Sequence, residues 1–183
     1  MRRILYLLST LEDDDIEWFV RTGERIRISS EESLIEVNKP IDYLYIVLDG
    51  CFRVTLGAQQ EAVGLVRAGE VLGEVSLLDS RPPVASVVAV ENSVVLQVPR
   101  DELKHKLAIE DGFAARFYYA LGRFLAHRQR AQLVQLGYGS ETASGEEMDE
   151  ESLDPELLDA LSLAGRKFGI LLRDTGITPP GDL

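Results

Sequence analysis

The sequence predicts a mainly β fold, a small barrel or sandwich-like roll with helices on either side. Three observations carry this. Residues 24–98 hold short apolar runs of four to seven residues, several alternating with period two, and Gly57, Gly64 and Gly69 punctuate them. Residues 13–22 and 112–136 instead place apolar side chains at spacings of three and four. Pro99 divides the strand-patterned part from the helix-patterned part.

The first helix draws on Asp13 or Asp14 as a cap, with Glu17 three residues after Asp14 in a capping-box position. Ile16, Phe19 and Val20 form its apolar stripe, Trp18 packs beside them, and Gly23 is its stop. Strands follow at 25–28, 34–37, 43–48, 52–56, 62–66, 85–90 and 94–98. Between the third and fourth, Asp49-Gly50 is a tight-turn signal. Beyond Pro99, a short helix is expected over 100–107 and a longer one over 112–136. On the longer helix Phe113, Phe117, Leu121, Phe124 and Leu125 recur at helical spacing. Ala114, Ala115, Ala120, Gly122 and Ala126 lie among them and permit close approach of another helix. The stripe either packs on the roll or also pairs with a second copy, a homodimer through 112–136. Residues 137–154 are rich in Gly, Ser and acids and read as a flexible acidic linker. Within 155–183, Asp154 caps a helix that starts at Pro155. Its apolar face is Leu157, Leu158, Leu161, Phe168, Leu171 and Leu172.

Charge and composition exclude several classes. The net charge is −12, of which residues 138–183 carry −8 with eleven acids against three bases. Neither part offers the basic surface that phosphate-backbone contact requires, so nucleic acid is not an expected partner. The apolar run at 4–8 follows Arg2 and Arg3 but is too short for a signal peptide, and 12–15 are acidic. No segment approaches the ~20 apolar residues of a membrane span, so a cytoplasmic protein is expected. Cys51 is the sole cysteine, expected as a small core hydrophobe; it allows no internal disulfide. His105 and His127 stand 22 residues apart on helical segments, which fits surface histidines and no metal site. No nucleophile–base pairing suggests itself, and an enzyme is not expected.

The most informative stretch runs Gly69-Glu70-Val71-Leu72-Gly73-Glu74-Val75-Ser76-Leu77-Leu78-Asp79-Ser80-Arg81-Pro82-Pro83-Val84-Ala85-Ser86-Val87. It resembles the phosphate-binding cassette of the cyclic-nucleotide-binding domain family, the catabolite-activator-like β-roll. Leu72-Gly73-Glu74-Val75-Ser76-Leu77 matches the first half of the family pattern, and Ala85, Val87 and Ala89 match its end. Tyr43-Leu44-Tyr45-Ile46-Val47-Leu48-Asp49-Gly50 resembles the family's long strand and its turn glycine. The resemblance covers roughly residues 1–135.

In that family a helix after the Gly-Glu turn aims backbone amides at the cyclic phosphate, the glutamate accepts from the ribose 2′-hydroxyl, and an arginine forks the phosphate. A hydroxyl beside the arginine adds a donor. The resemblance therefore implies Gly73, Glu74, Val75, Ser76, Arg81, Pro83, Val84 and Ala85 as cassette residues. It also implies cyclic AMP or cyclic GMP as the class of ligand; no other cofactor is implied. The chain departs from the pattern at two positions. Pro83 stands where the arginine belongs and Val84 where the hydroxyl belongs. Losing one partner of a buried charge pair typically costs about 2–5 kcal/mol, roughly thirtyfold to several thousandfold in affinity. Capture of cyclic AMP in the family's usual way is not expected.

Two functions follow. One is a regulatory or interaction module that keeps the roll for its shape and engages a protein partner or a second subunit. The other is a sensor of a cyclic nucleotide or compact anion, using Glu74, the cassette amides and Arg81, which lies two residues before Pro83. A transcription factor is not expected, because only 46 residues follow Gly137, with one convincing helix and the acidic excess.

Overall fold

The computed structural model describes residues 8, 10–57, 61–135 and 155–176. Its body is a roll of two four-stranded antiparallel sheets with helices at one side. The strands are β1 (Glu24–Ile28), β2 (Ser33–Ile35), β3 (Tyr43–Asp49), β4 (Cys51–Leu56), β5 (Glu61–Arg67), β6 (Val71–Leu72), β7 (Ser86–Ala89) and β8 (Ser93–Pro99). One sheet has the order β1-β8-β3-β6 and the other β2-β7-β4-β5. The helices are α1 (Asp13–Thr22), α2 (Glu74–Asp79), α3 (Arg100–Ile109), α4 (Asp111–Gln135) and α5 (Pro155–Asp174).

Strands such as β8 alternate in burial, whereas the apolar β3 is buried on both faces, and the residues facing inward make one core between the sheets. Ile28, Ile35, Tyr45, Val47, Phe52, Val66, Leu72, Val87, Ala89 and Val95 fill it. The other side of the first sheet is covered by helices. There Leu44, Ile46, Leu96 and Val98 meet Ile16, Trp18 and Phe19 of α1, Leu103 of α3, and Phe113, Phe117 and Leu121 of α4. The aromatic rings interlock, with Phe113 and Phe117 stacked at 5.8 Å between centroids and Trp18 tilted on Phe113 at 5.6 Å.

Several expectations need correction. Asp49-Gly50 does reverse the chain, but not within one ladder. β3 belongs to the first sheet and β4 to the second, so this turn carries the chain across the roll. Gly50 sits at φ 90°, and a Cβ there would lie 2.1 Å from Ser93 Oγ, so the crossing requires glycine. The strand expected over 34–37 shrinks to Ser33–Ile35, because the chain bends away after a shift of register against β7. The two-residue β6 went unforeseen inside the cassette stretch.

The cap of α1 is Glu12, not Asp13 or Asp14. Its N–H donates to Asp15 Oδ2 at 2.8 Å, so Asp15 takes the role expected of Glu17. Asp15 is spent twice. Its carboxylate is 2 % exposed and takes a bidentate grip from Arg116 of α4, with Nε to Oδ2 at 2.8 Å and Nη2 to Oδ1 at 2.9 Å. Burial alone would raise the Asp15 pKa; the Arg116 contact, the Glu12 amide and nearby positive charge outweigh it and hold the carboxyl below its ordinary range.

The tail helix α5 folds back on this chain. Leu171 and Leu172 are buried in the helical core with Phe168 packed against it. Buried Lys167 donates from Nζ to the carbonyl of Leu11. Arg25 Nη1 donates to the carbonyls of Thr175 at 2.6 Å and Gly176 at 3.1 Å. Leu157, Leu158 and Leu161, expected on the same face, have side chains outside the described set, as does His127. The expected linker 137–154 also lies outside the described residues.

Candidate functional site

The cassette begins where β6 ends. Gly73 takes φ 87° and caps α2, whose six residues start with Glu74. A Cβ at Gly73 would come 2.9 Å from the carbonyl oxygen of Tyr43, so the turn presses against β3 and needs glycine. This places Glu74 in the interior at 2 % exposure. Ser76 is buried as well, while Val75 on the outer face is half exposed.

Arg100, the first residue of α3, fixes the far end of α2. Its guanidinium donates to the carbonyl of Ser76, to the carbonyl of Ile41 at 3.3 Å and to Ser80 Oγ at 3.4 Å. The loop after α2 is held by its backbone. Asn38 N–H donates to the Pro83 carbonyl at 2.9 Å, and the Arg81 N–H donates to Asp79 Oδ1 at 3.0 Å.

The sequence-expected site residues therefore divide. Gly73, Glu74 and Ser76 are gathered at the base of the cassette. Arg81 is exposed, and the ion pair on Glu74 comes from Arg128. Val84 is 80 % exposed and faces away from the core, Pro83 is half-buried, and Ala85 is half-buried beside β7. Neither Pro83 nor Val84 supplies the charge or hydroxyl of the family pattern.

A cation does reach the buried glutamate, from an element that sequence reasoning had not connected to the cassette. Arg128 of α4 donates from Nη1 to Glu74 Oε1 at 2.6 Å, with its own side chain about one-third exposed. Burial pushes the Glu74 carboxyl above its ordinary pKa. The charge and hydrogen bond of Arg128 and the glutamate's own amide offset part of that rise, and Glu70 adds to it. The cation paired with this carboxylate is thus Arg128, which the cassette stretch itself does not contain. A signal for it existed, since Arg128 follows Leu121 by seven residues and Phe124 by four, on the core-facing side of the helix.

The face of α4 offered for pairing is also corrected. Phe113, Phe117, Leu121 and Phe124 are buried in this chain's own core and Leu125 packs beside them, so they are not available to a second copy. The opposite face presents Ala115, Tyr119, Gly122, Ala126, Gln129 and Leu133, all exposed, at alternating spacings of four and three.

Among the described residues no group of three or more His, Cys, Asp or Glu is placed to hold a metal ion. No described helix is long and apolar enough to cross a membrane.

Known proteins match this architecture. Residues 25–110 match the model of the cyclic nucleotide-binding domain. The chain is 38 % identical over 82 residues to the cyclic AMP receptor protein of Thermus thermophilus, spanning 39 % of this chain and 38 % of that relative. Among solved structures, a cyclic nucleotide-binding domain from Methylobacillus flagellatus superposes with a TM-score of 0.66 at 22 % identity, covering 73 % of this chain and 80 % of that one. The catabolite activator protein of Thermus thermophilus superposes with a TM-score of 0.61 at 21 % identity, covering 92 % and 85 %. With the two-sheet roll, the Gly73-Glu74 turn and the buried glutamate in place, residues 25–110 of this chain are similar to the cyclic nucleotide-binding domain, and the chain has the fold of the catabolite-activator-like β-roll.

Proposed function

We propose that this chain is a non-enzymatic regulatory module of the cytoplasm, built on the cyclic nucleotide-binding fold, that does not capture cyclic AMP in the family's usual way. One observation carries the reading: the buried glutamate of the cassette is engaged by the chain's own Arg128, while Pro83 and exposed Val84 occupy the phosphate-gripping positions. A cyclic phosphate brought to this loop meets backbone and hydrocarbon where the pattern has a guanidinium fork and a hydroxyl. The Arg81 route to the same end is disfavoured, because that side chain points to solvent.

Calorimetric titration of the purified chain with cyclic AMP and with cyclic GMP tests this. No submicromolar binding is expected for either. Submicromolar capture that disappears in Glu74→Ala would overturn the reading in favour of a sensor.

The partner that fits best is a second copy. The exposed stripe of α4 has the alternating four-and-three spacing of a helix-pairing seam, and Gly122 has open space where a Cβ would stand. Its small residues let two helix backbones approach, and Tyr119 and Leu133 supply apolar area.

A further inference from the structure

We propose that α5 is a displaceable strap, and that the flank of α1 beneath it is a docking surface for the amphipathic helix of another protein. The inference stands on the tail of the chain and does not depend on how the cassette is read.

The flank receives a helix at three places. α5 runs beside α1 in the same direction, with Lys167 at the start of α1 and Thr175 level with Arg25, just past its end. At the first place the flank offers the Leu11 carbonyl, which lies ahead of the α1 ladder and accepts from Lys167 Nζ. The Asp13 carboxylate stands 3.9 Å from the same ammonium. At the far place Arg25 grips the carbonyls of Thr175 and Gly176, the negative end of the helix dipole. Between the two, Leu8 and Leu11 share the helical core with Leu171 and Leu172. A helix satisfies all three if it carries a lysine, leucines four and five residues later, and its last carbonyls eight and nine residues later.

α5 meets this pattern while carrying two faults. Gly165 and Gly169 lie inside the helix, and a Cβ at either would meet nothing within 4 Å among the described residues, so packing requires neither. Each glycine in a helix interior lowers the helical equilibrium about fivefold against alanine. Lys167, 6 % exposed, adds the cost of a buried ammonium whose carboxylate neighbour is itself mostly in solvent. A helix with the same anchors and alanine in place of the glycines therefore outcompetes the resident one.

Two measurements on the full chain test this. In Gly165→Ala/Gly169→Ala, amide exchange over residues 165–176 is expected to slow about twentyfold, with the strands of the roll unchanged. No slowing, or equal slowing across the roll, would overturn the strap. In Leu171→Asp, which sets a charge where α5 is fully buried, a fluorescein-labelled peptide of residues 155–176 is expected to bind with a rise in anisotropy. A Lys167→Ala peptide should bind at least tenfold more weakly. Wild type should take up the peptide more weakly than Leu171→Asp, and the double glycine variant more weakly still. A peptide that fails to bind Leu171→Asp, or binds all three chains equally, would overturn the docking surface. Should Leu171→Asp fail to fold, the comparison of wild type with the double glycine variant carries the same test. A dimer that persists in Ala126→Arg and is lost when Leu171→Asp is added would make the occupant the α5 of a second copy and overturn the foreign helix.

Discussion

Arg116→Ala is the substitution whose cost the structure specifies most fully. Arg116 closes both oxygens of Asp15 and adds a contact to Glu12 Oε1 at 3.2 Å. Removing it strands a carboxylate that is 2 % exposed. Deleting one partner of a buried pair generally costs about 3–5 kcal/mol, because the survivor keeps its desolvation penalty. Two features of this site reduce that figure. The Arg116 side chain is 27 % exposed, so solvent already screens part of the pair, and Asp15 keeps the bond from the Glu12 amide. A loss of about 2–3 kcal/mol is therefore expected, a large share of a fold stable by about 5–15 kcal/mol. In a chain of this length that lowers Tm by about 4–12 °C.

Urea unfolding followed by circular dichroism measures it, with Asp15→Asn and the double variant completing a cycle. In the Asn background there is no stranded charge, so Arg116→Ala should cost markedly less. A loss below about 1 kcal/mol in the wild type, or an equal loss in both backgrounds, would refute the account of a buried, paired carboxylate.

The remaining predictions concern Glu74 and the stripe of α4. The folded-state pKa of Glu74 lies above its ordinary value, so its contribution to stability is full below the unfolded pKa and is lost as pH rises through the folded one. The stability of wild type relative to Glu74→Gln is therefore expected to fall as pH rises above the ordinary glutamate range; a gap that stays flat or grows in urea unfolding would contradict it. Asp15, whose pKa is lowered, works in the opposite sense: its contribution is present above the unfolded pKa and is lost as pH falls through the folded one. Sedimentation should find the wild type dimeric and Ala126→Arg monomeric at the same concentration, since the charge enters the centre of the stripe. A monomeric wild type, or an unaltered mass in the variant, would remove that interface.

The roll was largely legible in sequence because its strands are marked locally, by alternation as in β8 or by a short continuous apolar run as in β3. The cassette was legible because Gly73 and Glu74 are adjacent in the chain and shaped by one turn. What escaped were relations between distant residues. Asp49-Gly50 announces a reversal, yet nothing nearby says whether the next strand joins the same sheet. Asp15 reads as one more acid in the first turn of a helix until Arg116, 101 positions on, is laid against it. Arg128 likewise has no local mark of its partner. The apolar periodicity of α4 was plain, but it could not say which surface claims the aromatic side; the roll itself does, leaving the small residues outward.

The docking of α5 has a consequence for how this chain comes together. Lys167 reaches back 156 positions to the carbonyl of Leu11, and Arg25 reaches 150 forward to that of Thr175. Contacts so remote in sequence form slowly, because a long loop must close before they return any free energy. During synthesis the roll can collapse as soon as β8 emerges, but α1 waits with one flank bare until the last helix has left the ribosome. Nascent chains halted before residue 155 should therefore be the aggregation-prone ones.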